Sequence, residues 1–166
     1  MITYEEVKEL FDYKDGELYW KKPLNSTMRK RKYYDLGDKA GKQHSAGYVQ
    51  ICLNRRLYLA HRLIFLWHHG YLPRVLDHID GNRLNNKIEN LRAATYSENQ
   101  FNRKIGKNNT SGHKGISWSL QYQKWLARIW CHGKAIYLGK YDNLDDAVKA
   151  VKLKREELHK EFARHE

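Results

Sequence analysis

The chain has 166 residues, 41% of them hydrophobic, and its 31 Lys and Arg against 19 Asp and Glu give a formal net charge of +12. That length holds one ordinary domain or two small ones. No apolar run reaches membrane-spanning length, and the lone Cys52 and Cys131, with no CxxC pair, exclude a zinc ribbon or disulfide scaffold and fit a reducing, intracellular setting.

The positive excess is spread over the chain: 12 basic against 8 acidic residues in 1–60, 7 against 4 in 61–105, and 12 against 7 in 106–166. A body positive throughout suits a polyanion, nucleic acid foremost, better than a small acidic substrate, with solubility as the plainer alternative. The opening MITYEEVKEL is too acidic and amphipathic for a secretory signal, so the protein is expected inside the cell and not secreted.

Thr3 and Glu6 make a capping box ahead of Val7, Leu10 and Phe11 at helical spacing. YKDGELYW then reads as a hairpin turning at Asp15-Gly16. In KKPLNSTMRKRKYY, Arg29, Lys30, Arg31 and Lys32 either follow a phosphate backbone or form a solvated loop, the commoner fate of a charge run. GYVQICLNRRLYLA reads as a second hairpin with its turn at Asn54-Arg55. Leu59, Leu63, Leu66 and Trp67 mark a helix face that Gly70 ends. His61, His68 and His69 lie on or beside that helix without making a clean ligand set, which favours structural or surface roles.

Val75 to Lys104, VLDHIDGNRLNNKIENLRAATYSENQFNRK, carries six asparagines and little apolar material. Val75–Ile79 is β-like, Gly81-Asn82 supplies turn chemistry, Asn90–Ala94 suits a second strand, and Thr95 with Glu98 caps a helix holding Asn99, with Asn102 and Arg103 one turn on. Strand, loop, strand and helix thus gather polar groups at one open face. GKNNTSGHKG reads as a linker. Beyond it KGISWSL, WLARIWCHG and KAIYLGKY are strand candidates, and a helix from near Asn143 shows Leu144, Ala147, Val148, Val151, Leu158 and Phe162 along one stripe. The fold class is α+β, with units at 1–105 and 106–166.

The polar strand–loop–strand–helix has a chemical use. Phosphodiester hydrolysis needs a base near neutrality, which histidine supplies, and positive charge on the crowded phosphorus and departing alkoxide. A hard divalent ion held by one carboxylate and one amide oxygen supplies the second. His78 fits the base, and Asp77 and Asn99 the ligands. The plain alternative is a turn whose polar groups cap loop ends.

From GYVQICL through AHRL, DHIDGNRLNN, IENLR and SENQFNR, over about residues 46–104, the chain resembles the HNH endonucleases, particularly the phage homing-type branch. The resemblance implies a ββα-metal finger, its core at 75–104, in which His78 activates water. It implies that Asp77 and Asn99 hold one Mg2+ or Mn2+ per active site. It further implies that Asn90 supports the finger and orients His78, and that Arg62, in the His-Arg element with His61, contacts phosphate. A phage origin would place the protein in the host cytoplasm.

Residues 106–141 hold six Lys and Arg and no Asp or Glu. A three-stranded sheet bearing Lys114, Trp118, Lys124, Arg128, Trp130, Lys134 and Tyr137 suits a DNA groove, arginine reading base edges and lysine or aromatics fixing position. Trp125 is expected to pack. SGHKGISW through YLGKYDNLDDAVKAV resembles the plant ethylene-response-factor (APETALA) DNA-binding domain, which implies three strands on one helix and places Arg128 and its neighbours at the major groove. The strands hold fewer arginines than that domain does. The DNA-binding set is thus Arg62, Asn102, Arg103, Lys114, Lys124, Arg128 and Lys134.

The function expected is a divalent-metal-dependent endonuclease on double-stranded DNA, nicking as a monomer or cutting both strands as a homodimer, with no membrane partner. The alternatives are a non-catalytic sequence-specific DNA-binding regulator that keeps the HNH scaffold, and an RNA-directed nuclease.

Overall fold

The computed structural model describes residues 2–22, 24–25, 32–106 and 108–165. Of the basic run, Arg29, Lys30, Arg31 and the side chain of Lys32 lie outside these residues. Contacts divide the chain into two units, Met1–Ala93 and Ala94–Glu166.

In the first unit, α1 (Tyr4–Leu10) starts at the Thr3 capping box, with Glu6 N–H donating to Thr3 Oγ1 and Thr3 N–H to Glu6 Oε2. β1 (Phe11–Lys14) and β2 (Glu17–Trp20) form an antiparallel hairpin. Its turn places Asp15 and Gly16 at φ of 50° and 86°, the left-handed pair that a two-residue hairpin requires. β3 (Leu24–Asn25) pairs with β4 (Lys32–Tyr34), while β5 (Lys42–Gln43), β6 (Val49–Leu53) and β7 (Arg56–Leu59) make a three-stranded antiparallel sheet. α2 (Ala60–His69) ends at Gly70, whose N–H donates to Leu66 O at 2.9 Å.

Val7, Phe11, Leu18, Trp20, Ile51, Leu53, Leu63 and Ile64 make the core of this unit. α2 buries more than the stripe its leucines predict, because Ala60, His61 and Phe65 are covered too. Trp67 donates its indole N–H to Phe11 O at 3.1 Å, fixing helix to hairpin. β8 (Val75–His78) then pairs with β9 (Leu91–Ala94) in a two-stranded ribbon.

The second unit opens with α3 (Tyr96–Phe101), started by the Thr95–Glu98 capping box. β10 (Ile116–Ser119), β11 (Lys124–Cys131) and β12 (Lys134–Tyr141) form an antiparallel sheet, and α4 (Leu144–His159) packs on it. Ile116, Ala127, Ala147 and Val151 are the buried centre, with Trp125 packed against them. Phe101 packs with Cys131 and Phe162, and α3 groups by its contacts with the second unit. The α4 stripe continues past Ala147 and Val151 with Arg155 and His159, both buried, at positions where an apolar pattern is blind to them.

The tip of the first hairpin meets the loop that precedes β9. A Cβ on Gly16 would lie 2.8 Å from Lys87 N and 3.1 Å from Asn86 C, and Tyr13 OH accepts from Ile88 N–H at 3.2 Å. The N-terminal hairpin therefore buttresses the 80–90 loop. Gly16→Ala should destabilise the protein by about 1–3 kcal/mol, combining a strained positive φ with a backbone collision. Urea unfolding of the variant beside the parent chain measures this, and an unchanged midpoint would show that the hairpin tip bears no load.

Candidate active site

β8 carries Asp77 and His78 as neighbours, and both are buried, at 5% and 6% exposure. Arg92 on β9 meets the Asp77 carboxylate through Nε at 3.0 Å and Nη2 at 2.9 Å, both on Oδ2. A buried carboxylate needs such a partner, since its desolvation is otherwise costly.

His78 Nε2 lies 3.0 Å from Asn86 Oδ1 in a buried contact. An amide oxygen only accepts, so Nε2 carries a proton in this contact, and in the neutral ring the lone pair then falls on Nδ1, the form a general base requires. The His61 ring stands edge-on to His78 with centroids 5.0 Å apart, and Tyr48 lies 5.3 Å from His61 and 6.2 Å from His78. Burial, with the charges of His78 and Arg62, pushes the His61 imidazole down to about 3, so it is a neutral wall of the site. Arg83 covers Tyr48, its guanidinium carbon 4.8 Å from the ring centroid, and donates to Ala46 O at 2.9 Å.

The loop between the strands is tied by its own amides. Asn90 Oδ1 accepts from Asp80 N–H at 3.0 Å, and its Nδ2 donates to Asp80 Oδ1 at 2.9 Å and Asn85 O at 2.7 Å. Asn85 Nδ2 reaches Asp80 Oδ2 at 2.7 Å, Asn82 N–H donates to Asp80 Oδ1 at 2.7 Å, and Ile79 N–H to Asn90 O at 2.9 Å. Burial raises the Asp80 carboxyl, but the bonds from Asn85, Asn82 and Asn90 and the nearby His78 outweigh it and hold it below the ordinary carboxylate range. Asn90 thus anchors the segment that presents Asn86 to His78.

Of the residues singled out by sequence, Asp77, His78, Asn90 and Arg62 fall in the first unit and Asn99, Asn102, Arg103, Lys114, Lys124, Arg128 and Lys134 in the second. Arg62 donates Nη2 to Pro73 O at 2.9 Å, a structural tie. Asn99 sits half-buried on α3, its N–H on Thr95 O at 3.0 Å. Asn102 is buried at the C-terminal cap of α3, while Arg103 is exposed and bonds Gln100. Lys114 turns inward, its ammonium on the carbonyls of Phe101, Arg103 and Arg164. Burial first, then the charges of Arg155, Arg164 and Arg103, pushes it down to about 8. Lys124 pairs with Asp142, and Arg128 and Lys134 are exposed on the sheet.

Sequence reasoning passed over Asn86, Arg92, Asp80 and Tyr48. The surplus of asparagines beyond what turns need, and an Arg opposite an Asp in a two-strand ribbon, were the available signals.

The Asp77 carboxylate is a hard oxygen donor of the kind a divalent ion takes. No group of three or more His, Cys, Asp and Glu able to hold a metal occurs among the described residues. One carboxylate with an amide oxygen matches an ion that keeps most of its waters and does not match a softer ion in a closed tetrahedral site.

Residues 58–101 match the HNH endonuclease family. Protein 3.8 of Escherichia phage T7 is 41% identical over 107 residues, 62% of this chain and 88% of that protein. An uncharacterized HNH endonuclease of Acanthamoeba polyphaga mimivirus is 34% identical over 106 residues, 62% of this chain and 54% of that protein, so the chain spans about half its length. No solved structure matches the chain. No helix among the described residues is long and apolar enough to cross a membrane.

Asn90→Ala strips partners from an N–H, a carboxylate and a carbonyl together and should cost about 1–3 kcal/mol in urea unfolding. His61 adds a pH dependence of definite sign. Its folded form resists protonation between 6.5 and about 3, so the unfolded chain binds more protons and stability falls as pH drops through that window. Unfolding midpoints at pH 7 and pH 5 should fall less steeply in His61→Gln than in the parent chain.

Proposed function

The chain belongs to the HNH endonuclease family, and on that premise we propose that it hydrolyses phosphodiester bonds of double-stranded DNA with His78 as general base. The observation that carries this is the Nε2 contact of His78 with Asn86 Oδ1, which leaves Nδ1 as the basic nitrogen. Nδ1 takes the proton of the attacking water, and neutral His61 beside it adds no competing charge. Arg92 holds the Asp77 carboxylate through Oδ2, and in this reading Asp77 and Asn99 would be the protein ligands of one Mg2+ or Mn2+. That ion, when bound, stabilises charge on the phosphate oxygens and the leaving alkoxide.

The second unit serves as the DNA anchor in this reading. Trp130 and Tyr137 are 60% and 57% exposed, and Arg128 is paired across the ladder with Tyr137, which gives one sheet surface a cation between aromatic rings. Such a surface suits sugar, phosphate and base edges. Lys134, at the start of β12, adds charge for the backbone.

Supercoiled plasmid should be relaxed with Mg2+ or Mn2+ and spared with chelator. His78→Ala should abolish relaxation while leaving gel-shift affinity nearly intact; full cleavage by that variant would remove His78 from the mechanism. DNA binding without cleavage under any metal would instead favour the non-catalytic regulator, and equal cutting of RNA would widen the substrate class. Lys134→Ala should weaken binding to all sequences alike and reduce the salt slope by about one.

A further inference from the structure

The β5–β6 turn and the loop before β9 meet at one side chain. Arg83 is exposed, and its guanidinium carbon stands 4.8 Å from the centroid of the Tyr48 ring. Its Nη1 donates to Ala46 O at 2.9 Å, and its stem passes Gly47, where a Cβ would lie 3.8 Å from Arg83 Cδ. Ring, carbonyl and stem contact together hold a side chain that an exposed position otherwise leaves with many rotamers.

This seat stands beside the candidate base. The Tyr48 ring is 6.2 Å from His78 and 5.3 Å from His61, centroid to centroid. All four residues belong to the first unit. Arg83 and Asn86, whose Oδ1 meets His78 Nε2, lie in one short loop that the Asp80–Asn90 bonds tie down. Base and cation are therefore placed by the same segment.

The guanidinium is positioned without being used up. Of its five N–H donors, arranged in a planar fork, one is given to Ala46 O. Among the described residues no carboxylate pairs with it. Arg92, by contrast, spends Nε and Nη2 on the Asp77 carboxylate. A cation already held in place, with most of its donors open, binds a phosphate oxygen at low entropic cost.

We propose that Arg83 binds a backbone phosphate of the DNA strand laid across Tyr48, next to the phosphate that His78 serves. This rests on the reading of His78 as the base of a DNA nuclease, and it names the residue that holds the strand there. Arg83 acts through binding and register; it moves no proton and makes no bond in the reaction.

Fluorescence anisotropy of a labelled duplex, titrated with the full chain in chelator over a series of NaCl concentrations, reads the contact without cleavage. Arg83→Gln should weaken binding at low salt by about threefold to tenfold and lower the slope of log affinity against log salt by about one, as for one phosphate contact. Arg83→Lys keeps the charge and should keep the slope, while losing affinity because a point charge has no fork. Arg56→Gln removes an equal charge from an exposed position on β7 and should leave the slope unchanged. With Mg2+ or Mn2+, plasmid relaxation by Arg83→Gln should show KM raised by about the same factor as the binding loss and kcat little changed, since ground and transition states lose the contact alike. Should Arg83→Gln not fold, Arg83→Met, with an unbranched stem to lie over Gly47, gives the same readouts.

The proposal is overturned if the substituted chain keeps the parent's slope, or if Arg56→Gln lowers the slope as much, since the effect is then general charge. It is equally overturned if Arg83→Lys loses the slope as Arg83→Gln does, which marks a loop clamp, or if kcat falls with KM unchanged. Failure of the nuclease reading looks different: the parent chain relaxes no plasmid under either metal, and the slope change at Arg83 still reports its phosphate.

Discussion

The carboxamide of Asn90 makes three hydrogen bonds, one received from Asp80 N–H and two given, to the Asp80 carboxylate and to Asn85 O. Those bonds close a polar loop that has almost no apolar content of its own. Hydrophobic burial cannot hold such a segment, so its shape rests on amide chemistry in partly buried surroundings, where each bond is stronger and each omission dearer. Asn86 follows Asn85 in the chain, and its oxygen selects the tautomer of His78. The path from one side-chain amide to the tautomer of the candidate base therefore runs through Asn85 and Asn86. The Gly16 hairpin tip closes it from outside, because only a residue without Cβ can approach the Lys87 backbone so nearly.

Arg92 imposes a second constraint. Its charge makes the buried Asp77 carboxylate tolerable without a cation. The same pairing partly cancels the negative charge that would draw one. The neutral His61 adds no positive charge beside His78.

Much of the fold was legible. Both capping boxes, at Thr3–Glu6 and Thr95–Glu98, are local and appear as the sequence spells them. So do the Asp15-Gly16 and Asn54-Arg55 turns, whose positive φ values come from residues that tolerate them or are forced by hairpin closure. The three strands on one helix follow from alternation and the apolar stripe, and Trp125 packs as its position suggests. Phe101 chooses partners at Cys131 and Phe162, tens of residues away, and composition carries no trace of that choice. At the candidate site, the Asp-His pair and Asn90 stand out by motif. Arg92 and Asn86 do not, since an arginine on a strand and one asparagine among six gain meaning only through the partners the fold gives them.

The charge of the chain illustrates the same limit in a way that bears on affinity. A net +12 invites the inference that many cations await phosphate. The structure spends several of them internally. Arg62 is on Pro73 O, Arg92 on Asp77, Lys114 on three carbonyls, Arg155 on Lys114 O, and Lys124 on Asp142. Long cationic side chains make good clamps for carbonyls that helix ends and strand turns leave over, and a cation so used contributes to the long-range field but releases few counterions on binding. The salt dependence of DNA binding should therefore track the exposed set around Arg128 and Lys134 and fall well short of what formal charge implies.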